Sequence, residues 1–178
     1  MIPDEALLRE AAADLFEFYD ELRQFGTKTQ VIVGPQTGAT KLAQLLSEVT
    51  TRKTGLFCRW ASPAKQLMDT QKAMVFDSKE LDFLPGQSVL LCEDVLTTGG
   101  SVDLTADAIA NAGGIILPFL LVLVNRSGLT EVNNKKIIAL IDRPMPMWDS
   151  SNDGCPLCKE GSEAVRPKEN WALLNANE

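Results

Sequence analysis

A chain of 178 residues, 45% of them hydrophobic, has the length and apolar content of one domain with one sizeable core, and no apolar run approaches the ~18 residues of a membrane span. The 17 Lys and Arg set against 24 Asp and Glu give a net charge of −7 with no basic run, which argues against a nucleic-acid partner, because neutralising phosphates takes a clustered basic face. Histidine is absent altogether, which excludes Ser-His-Asp triads and His-ligated metals.

The chain opens Met1-Ile2-Pro3-Asp4-Glu5, with no basic region leading into an apolar run, so no secretory leader is expected and a cytoplasmic location is. Residues 4 to 25 place Leu7, Leu8, Ala11, Ala12, Leu15, Phe18, Tyr19, Leu22 and Phe25 at helical spacing, with Gly26 as the stop. A short buried strand, Gln30-Val31-Ile32-Val33, runs into Gly34-Pro35-Gln36-Thr37-Gly38, and a helix follows from about Ala39 to Val49. Gly55-Leu56-Phe57-Cys58 reads as a strand. Residues 60 to 73 lose periodicity, as an irregular functional lid does, and Ala73 to Phe76 reads as its returning strand. After the turn Leu84-Pro85-Gly86-Gln87, Ser88-Val89-Leu90-Leu91-Cys92 is the strongest buried-strand pattern. A helix is predicted from Ser101 to Ala112, ended by Gly113-Gly114, and then strands from Ile115 to Val124 and from Lys136 to Ile141. Asn134-Lys135-Lys136 reads as a solvated turn. Strands alternating with helices predict an α/β domain with a mostly parallel sheet flanked by helices, spanning residues 1–178, with a core of about 28–142 and a surface tail over 143–178.

The unusual chemistry sits at two strand-to-helix turns, where open α/β sheets place their ligands. One is Gly34 to Gly38; the other is Glu93-Asp94-Val95-Leu96-Thr97-Thr98-Gly99-Gly100-Ser101. Two carboxylates closing a hydrophobic strand are costly to leave without partners. The small hydroxyl and glycine residues Thr97, Thr98, Gly99, Gly100 and Ser101 then let backbone and hydroxyl donors approach a phosphate at a helix start. The carboxylates cannot hold that phosphate; they suit sugar hydroxyls, or Mg2+ reached directly or through water. Together these features describe a ribose-phosphate site. Neither a P-loop lysine nor a GxGxxG fingerprint is present to offer another phosphate motif.

Val89 to Ser101 resembles the 5-phosphoribosyl-1-pyrophosphate (PRPP) signature of the type I phosphoribosyltransferases, in wording closest to the orotate phosphoribosyltransferase branch. Val33 to Ala39 is similar to that family's pyrophosphate loop, and Leu123-Val124-Asn125-Arg126-Ser127-Gly128 to the segment whose Arg faces the base. Coverage is roughly residues 28 to 168. The resemblance implies a type I phosphoribosyltransferase-like fold and a Mg2+-dependent transfer of ribose 5-phosphate from PRPP to a nitrogenous base, orotate or a related one, with release of pyrophosphate in pyrimidine nucleotide metabolism. One helix precedes Val31, so the N-terminal hood of the orotate branch is expected to be reduced or absent.

On the same resemblance, Glu93 and Asp94 hold the ribose hydroxyls and associate with Mg2+. The backbone of Thr97 to Ser101 holds the 5-phosphate, and the whole segment Glu93, Asp94, Val95, Leu96, Thr97, Thr98, Gly99, Gly100 and Ser101 binds PRPP. Pro35, Gln36, Thr37 and Gly38 take the pyrophosphate. Lys65 is the first candidate for a lid cation in catalysis, Lys72 the second, with Arg59 a further contributor, and a solvated surface role is the alternative for each. Arg126, with Thr98, meets the base; pairing of Arg126 with a surface acid is the alternative. A homodimer is implied. The alternative function is a regulatory protein that binds PRPP or a nucleotide with little or no turnover.

Four cysteines complete the picture. Cys58 and Cys92 lie in apolar runs as reduced core residues. Cys155-Pro156-Leu157-Cys158 has the spacing of half a zinc ribbon or of a redox pair, plain thiols being the third option; a four-thiolate zinc site would need a second chain or the other two thiols. A segment of this kind, Cys155 to Gly161, is also found in some orotate-type members.

Overall fold

The structure is a computed structural model that describes residues 4–22, 28–68, 70–148, 154–162, 165 and 169–170. It divides into two compact units, Met1–Met145 and Pro146–Glu178. In the first, helix α1 (Glu5–Leu22) starts where the Asp4 carboxylate accepts the Ala6 and Leu7 backbone N–H groups at 2.8 and 3.3 Å, which satisfies donors that a helix start leaves free. The predicted end at Phe25 and Gly26 lies outside the described residues. Strand β1 (Val31–Val33) leads to helix α2 (Thr40–Thr54), strand β2 (Arg59–Ala61) and a hairpin of β3 (Ala64–Met68) and β4 (Gln71–Val75). The one-turn helix α3 (Ser78–Leu81), strand β5 (Ser88–Leu96), helix α4 (Gly100–Asn111), strand β6 (Ile115–Asn125), the short β7 (Glu131–Val132) and β8 (Lys135–Asp142) follow.

The main sheet has the order β2-β1-β5-β6-β8-β7, and every pair in it is parallel except β7 with β8. Both faces are covered, so the central strands read as continuous apolar runs rather than alternating ones. Ile32, Leu90, Cys92 and Leu121 point to the side packed by α1 and α2, while Val31, Val33, Leu91, Leu120 and Val122 point to the side packed by Val102 and Ile109 of α4. Tyr19 of α1 anchors its helix on β6, edge-on to Phe119 at 5.5 Å.

Several expectations are corrected. The strand placed at Gly55–Cys58 lies instead at Arg59–Ala61: Gly55 is the left-handed cap of α2 (φ 70°), leaving Leu56 and Phe57 exposed, and Cys58 bonds back to Thr51 Oγ1 at 3.0 Å. Residues 60 to 73 are not irregular, for β3 and β4 form a regular antiparallel pair from Ala64↔Val75 to Met68↔Gln71. Its side chains are mostly exposed, so no alternation of polarity marked it in the sequence. Lys135, expected in a solvated turn, is a buried residue that begins β8. On α1, Phe16 is buried, while Leu7, Phe18 and Leu22 are exposed, because one narrow face meets α2 and the sheet.

Pro118 is tolerated within β6 by a bulge. Between the pairs Val89↔Ile116 and Leu91↔Leu120 the ladder shifts register, so the missing N–H of proline interrupts no regular rung. No helix among the described residues is long and apolar enough to cross a membrane. Leu90, fully buried in the central β5, tests the packing: Leu90→Ala is expected to lower unfolding free energy by about 2–5 kcal/mol, read from the urea midpoint at unchanged m-value.

Candidate active site

Strand β1 crosses through α2 to β2 on one side, and β5 crosses through α4 to β6 on the other, with the two helices on opposite faces. Between β1 and β5 the crossovers diverge, which opens a crevice at their carboxyl ends. The last β1–β5 pair is Val33↔Leu91, so β5 runs on beyond β1, paired only with β6 through Glu93↔Val122 and Leu96↔Asn125. Glu93, Asp94, Val95 and Leu96 therefore belong to the strand, and the turn is confined to 97–99.

The loop after β1 fills the space that β1 vacates. Gly38 lies so close to Asp94 that a Cβ there would overlap the carboxylate, and a Cβ on Gly34 would come within 2.9 Å of Cys92 Sγ. Glycine is required at 38 by close approach, not by a special backbone angle. The Gln36–Thr37 peptide bond is cis. Pro35 is buried, while Gln36, Thr37 and Gly38 are exposed.

What holds this loop was not foreseen. Ser62, buried at the end of β2, donates from Oγ to the Gly34 carbonyl at 2.7 Å and shares a 2.6 Å hydroxyl contact with Thr40. Its carbonyl accepts Gln36 Nε2 at 2.8 Å, and its own N–H donates to Glu80 Oε1 at 2.6 Å. Glu80 is also half of a capping box with Asp77, so α3 is tied to the same point. The sequence signal was weak: a polar Ser-Pro step after a short apolar run.

The two carboxylates differ. Glu93 is 7% exposed and Asp94 is half-buried. Glu93 Oε1 accepts the Asp94 N–H at 3.1 Å, and Asp94 Oδ1 accepts the Val95 N–H at 2.9 Å. Burial, with a hydrogen bond to Asp94 and its nearby charge, raises the Glu93 carboxyl to about 8; the Asp94 N–H and the Lys65 charge oppose that rise in part. At neutral pH Glu93 is thus largely protonated.

Beyond Leu96, Thr97, Thr98, left-handed Gly99 (φ 83°) and Gly100 lead into α4, and with Glu93, Val95, Leu96 and Ser101 they line a cavity of about 50 Å3. Thr98 is exposed on its rim. Lys65 of β3 donates to Ser101 Oγ at 3.2 Å, which brings the hairpin to the start of α4. Lys72 lies nearer the hairpin tip, opposite Leu67. Arg59 lies elsewhere, stacked over Phe83 at 5.0 Å and Phe57 at 5.8 Å, in a larger cavity of about 710 Å3 at the β2 edge that holds none of the other predicted site residues.

Arg126 follows β6 and donates its backbone N–H to the Leu96 carbonyl at 2.9 Å, so it stands on the same carboxyl edge as the cavity. Its Nε is buried without a hydrogen-bond partner among the described residues. Buried Asn125 shapes the turn after it, donating to the Leu129 carbonyl at 2.8 Å and accepting from Ser127 Oγ at 2.6 Å.

Comparison with known proteins gives a consistent result. The chain matches the model of the phosphoribosyl transferase domain over residues 3–157. It is 31% identical to an orotate phosphoribosyltransferase of Heliobacterium modesticaldum, over 77% of this chain and 64% of the relative. It is 28% identical to that of Acidithiobacillus ferrooxidans, over 89% and 73% respectively. A 36% identical match in Campylobacter jejuni covers 46% of each chain. The chain thus spans from about half to three quarters of these relatives' lengths. Among solved structures, adenine phosphoribosyltransferase from Rhodothermus marinus has a TM-score of 0.56 at 20% identity, covering 76% of this chain and 79% of that one. The corresponding enzyme from Thermoanaerobacter pseudethanolicus gives 0.57 at 18%, covering 78% and 82%. At these identities the structural likeness speaks to the fold.

The shifted Glu93 carboxyl makes a pH prediction. Its folded value of about 8 lies above the ordinary carboxyl value of 4.5, so the unfolded chain releases this proton first. Its contribution to stability is complete below about pH 4.5 and declines as pH rises through about 8. Unfolding of the ligand-free protein at several pH values is expected to show that decline, and Glu93→Gln to flatten it.

Proposed function

The chain belongs to the phosphoribosyltransferase family, and on that premise we propose that it transfers ribose 5-phosphate from PRPP to the ring nitrogen of orotate or a related base, releasing pyrophosphate. The observation that carries this reading is the Glu93–Asp94 pair at the end of β5, set between the Gly38 backbone and the Thr97–Ser101 cradle. A ribose carrying a phosphate at one end and a pyrophosphate at the other needs that arrangement of two anion-binding loops flanking a pair of carboxylates.

In this reading the 5-phosphate sits against the backbone and hydroxyls of residues 97–101, where small side chains leave room and the start of α4 adds partial positive charge. Asp94 and protonated Glu93 bind the ribose hydroxyls, Asp94 as acceptor and Glu93 able to donate. Charge on Asp94 then favours the positive character that the ribose ring gains as the bond to pyrophosphate breaks. Pro35, Gln36, Thr37 and Gly38 receive the pyrophosphate, the loop being held in place by Ser62. Lys65 supplies positive charge and, from the hairpin, helps to exclude water whose attack would waste PRPP. Arg126, whose Nε has no protein partner among the described residues, pairs with the carboxylate of an orotate-like base beside Thr98.

Mg2+ fits this site as an ion held largely by the substrate. The donors are hard carboxylate oxygens, and the described residues contain no cluster of three or more His, Cys, Asp or Glu able to cage a metal, which suits an ion that keeps waters and phosphate oxygens as ligands. When bound with PRPP it neutralises pyrophosphate charge, with Asp94 or Glu93 in contact directly or through water. On the same reading the chain is a single phosphoribosyltransferase domain with a C-terminal tail, cytoplasmic and homodimeric, and serves pyrimidine nucleotide synthesis.

One observation favours the alternative, a PRPP- or nucleotide-binding regulator with little turnover: the pyrophosphate loop carries no basic side chain. Pyrophosphate release from Mg-PRPP with orotate, uracil, hypoxanthine and adenine separates the two. Turnover is expected with orotate, falling about 100-fold or more in Asp94→Asn, the scale for losing one electrostatic stabiliser. Saturable PRPP binding without release for any base would replace the transferase by the regulator. Lys65→Ala is expected to lower kcat more than it raises KM, as for a group that acts mainly in the transition state.

A further inference from the structure

The four thiols fall into two classes. Cys58 and Cys92 are buried, and burial alone pushes Cys58 up to about 12; burial, reinforced by the Glu93 and Asp94 charges, holds Cys92 well above the ordinary thiol range. Both are inert at neutral pH. Cys155 is half-buried and Cys158 exposed, both in the second compact unit. Cys155 caps helix α5 (Pro156–Lys159), its Sγ accepting the Cys158 N–H at 3.4 Å, so the two residues lie one helical turn apart. Three-residue spacing in a helical turn sets the Cα atoms at about 5 Å, within the range a disulfide spans.

The geometry points to Cys155 and Cys158 as a redox-active dithiol that closes reversibly to an intrachain disulfide by exchange with low-molecular-weight disulfides. The Cys155 thiolate attacks one sulfur of the external disulfide and expels one thiolate, which takes up a proton. The Cys158 thiol then loses its proton and attacks Cys155 sulfur, expelling the second thiolate. Two protein thiols become one disulfide while one external disulfide becomes two thiols, so two electrons and two protons are passed on. The order of events follows from the hydrogen bonding. Cys155 Sγ accepts the Cys158 backbone N–H at the start of α5, which favours its thiolate, and a hydrogen bond from the Cys158 thiol, followed by those from backbone N–H groups, holds it below the ordinary thiol range. The low-valued cysteine attacks and the other resolves.

Metal binding is the rival use of this spacing, and it needs ligands that these two residues do not complete: the described residues contain no cluster of three or more metal-binding side chains. A disulfide needs only the pair.

The full chain would be equilibrated with graded ratios of reduced to oxidised glutathione, acid-quenched, alkylated and weighed intact, with peptide mapping. Two thiols are expected to disappear together, mapped to Cys155–Cys158, while Cys58 and Cys92 alkylate only after denaturation. Cys158→Ser is expected to stop at a mixed disulfide on Cys155, and Cys155→Ser to react about tenfold more slowly. Four free thiols at every ratio would overturn the proposal, as would a disulfide involving Cys58 or Cys92. Stoichiometric zinc in the purified protein, with the pair alkylating only after chelation, would overturn it in favour of a metal site.

Discussion

The contact on which the candidate site depends is the approach of the Gly38 backbone to the Asp94 carboxylate. It is possible only because β1 ends at Val33 while β5 continues past it to Leu96, leaving one side of β5 without a strand neighbour. A loop without side-chain bulk then takes the strand's place. Two segments distant in sequence become the two walls of one crevice, and a methyl group at position 38 would push them apart. The same absence of a strand neighbour leaves Asp94 reachable, whereas Glu93, turned inward, loses its water and keeps its proton.

Around that contact the chain spends several polar side chains on positioning. Ser62 joins the loop after β1, the start of α2 and the one-turn helix α3 through four hydrogen bonds at a buried point. Buried hydrogen bonds of this kind add modest stability but cost heavily when left half-made, so they fix one arrangement in preference to its neighbours. Asn125 does similar work at the end of β6, where it closes the turn that carries Arg126. The hairpin contrasts with both. Its strands are exposed along most of their length and reach the start of α4 through Lys65. An element with few buried contacts belongs to the low-stability end of a structure.

The sequence alone determined the alternation of strands and helices, the parallel sheet and the segment from Glu93 to Ser101, because each rests on neighbours in the chain: apolar runs of strand length, helical spacing, and glycines beside hydroxyls after two acids. It also separated the core thiols from the pair at 155 and 158. It did not determine which face of α1 is covered, since Leu7, Phe18 and Leu22 repeat as regularly as the residues that are buried. Nor did it place β2, because Leu56 and Phe57 are as strand-like as Arg59 and Trp60, and only the left-handed turn at Gly55 moves the strand onward. The sequence ranked Lys65 before Lys72 and Arg59 but did not give their surroundings, which are a bond to Ser101, 36 residues away, a register in a hairpin, and two aromatic rings under a guanidinium. Local periodicity and turn chemistry are written in consecutive residues, whereas burial, loop anchoring and the company a charge keeps arise between segments far apart, and the tertiary structure decides them.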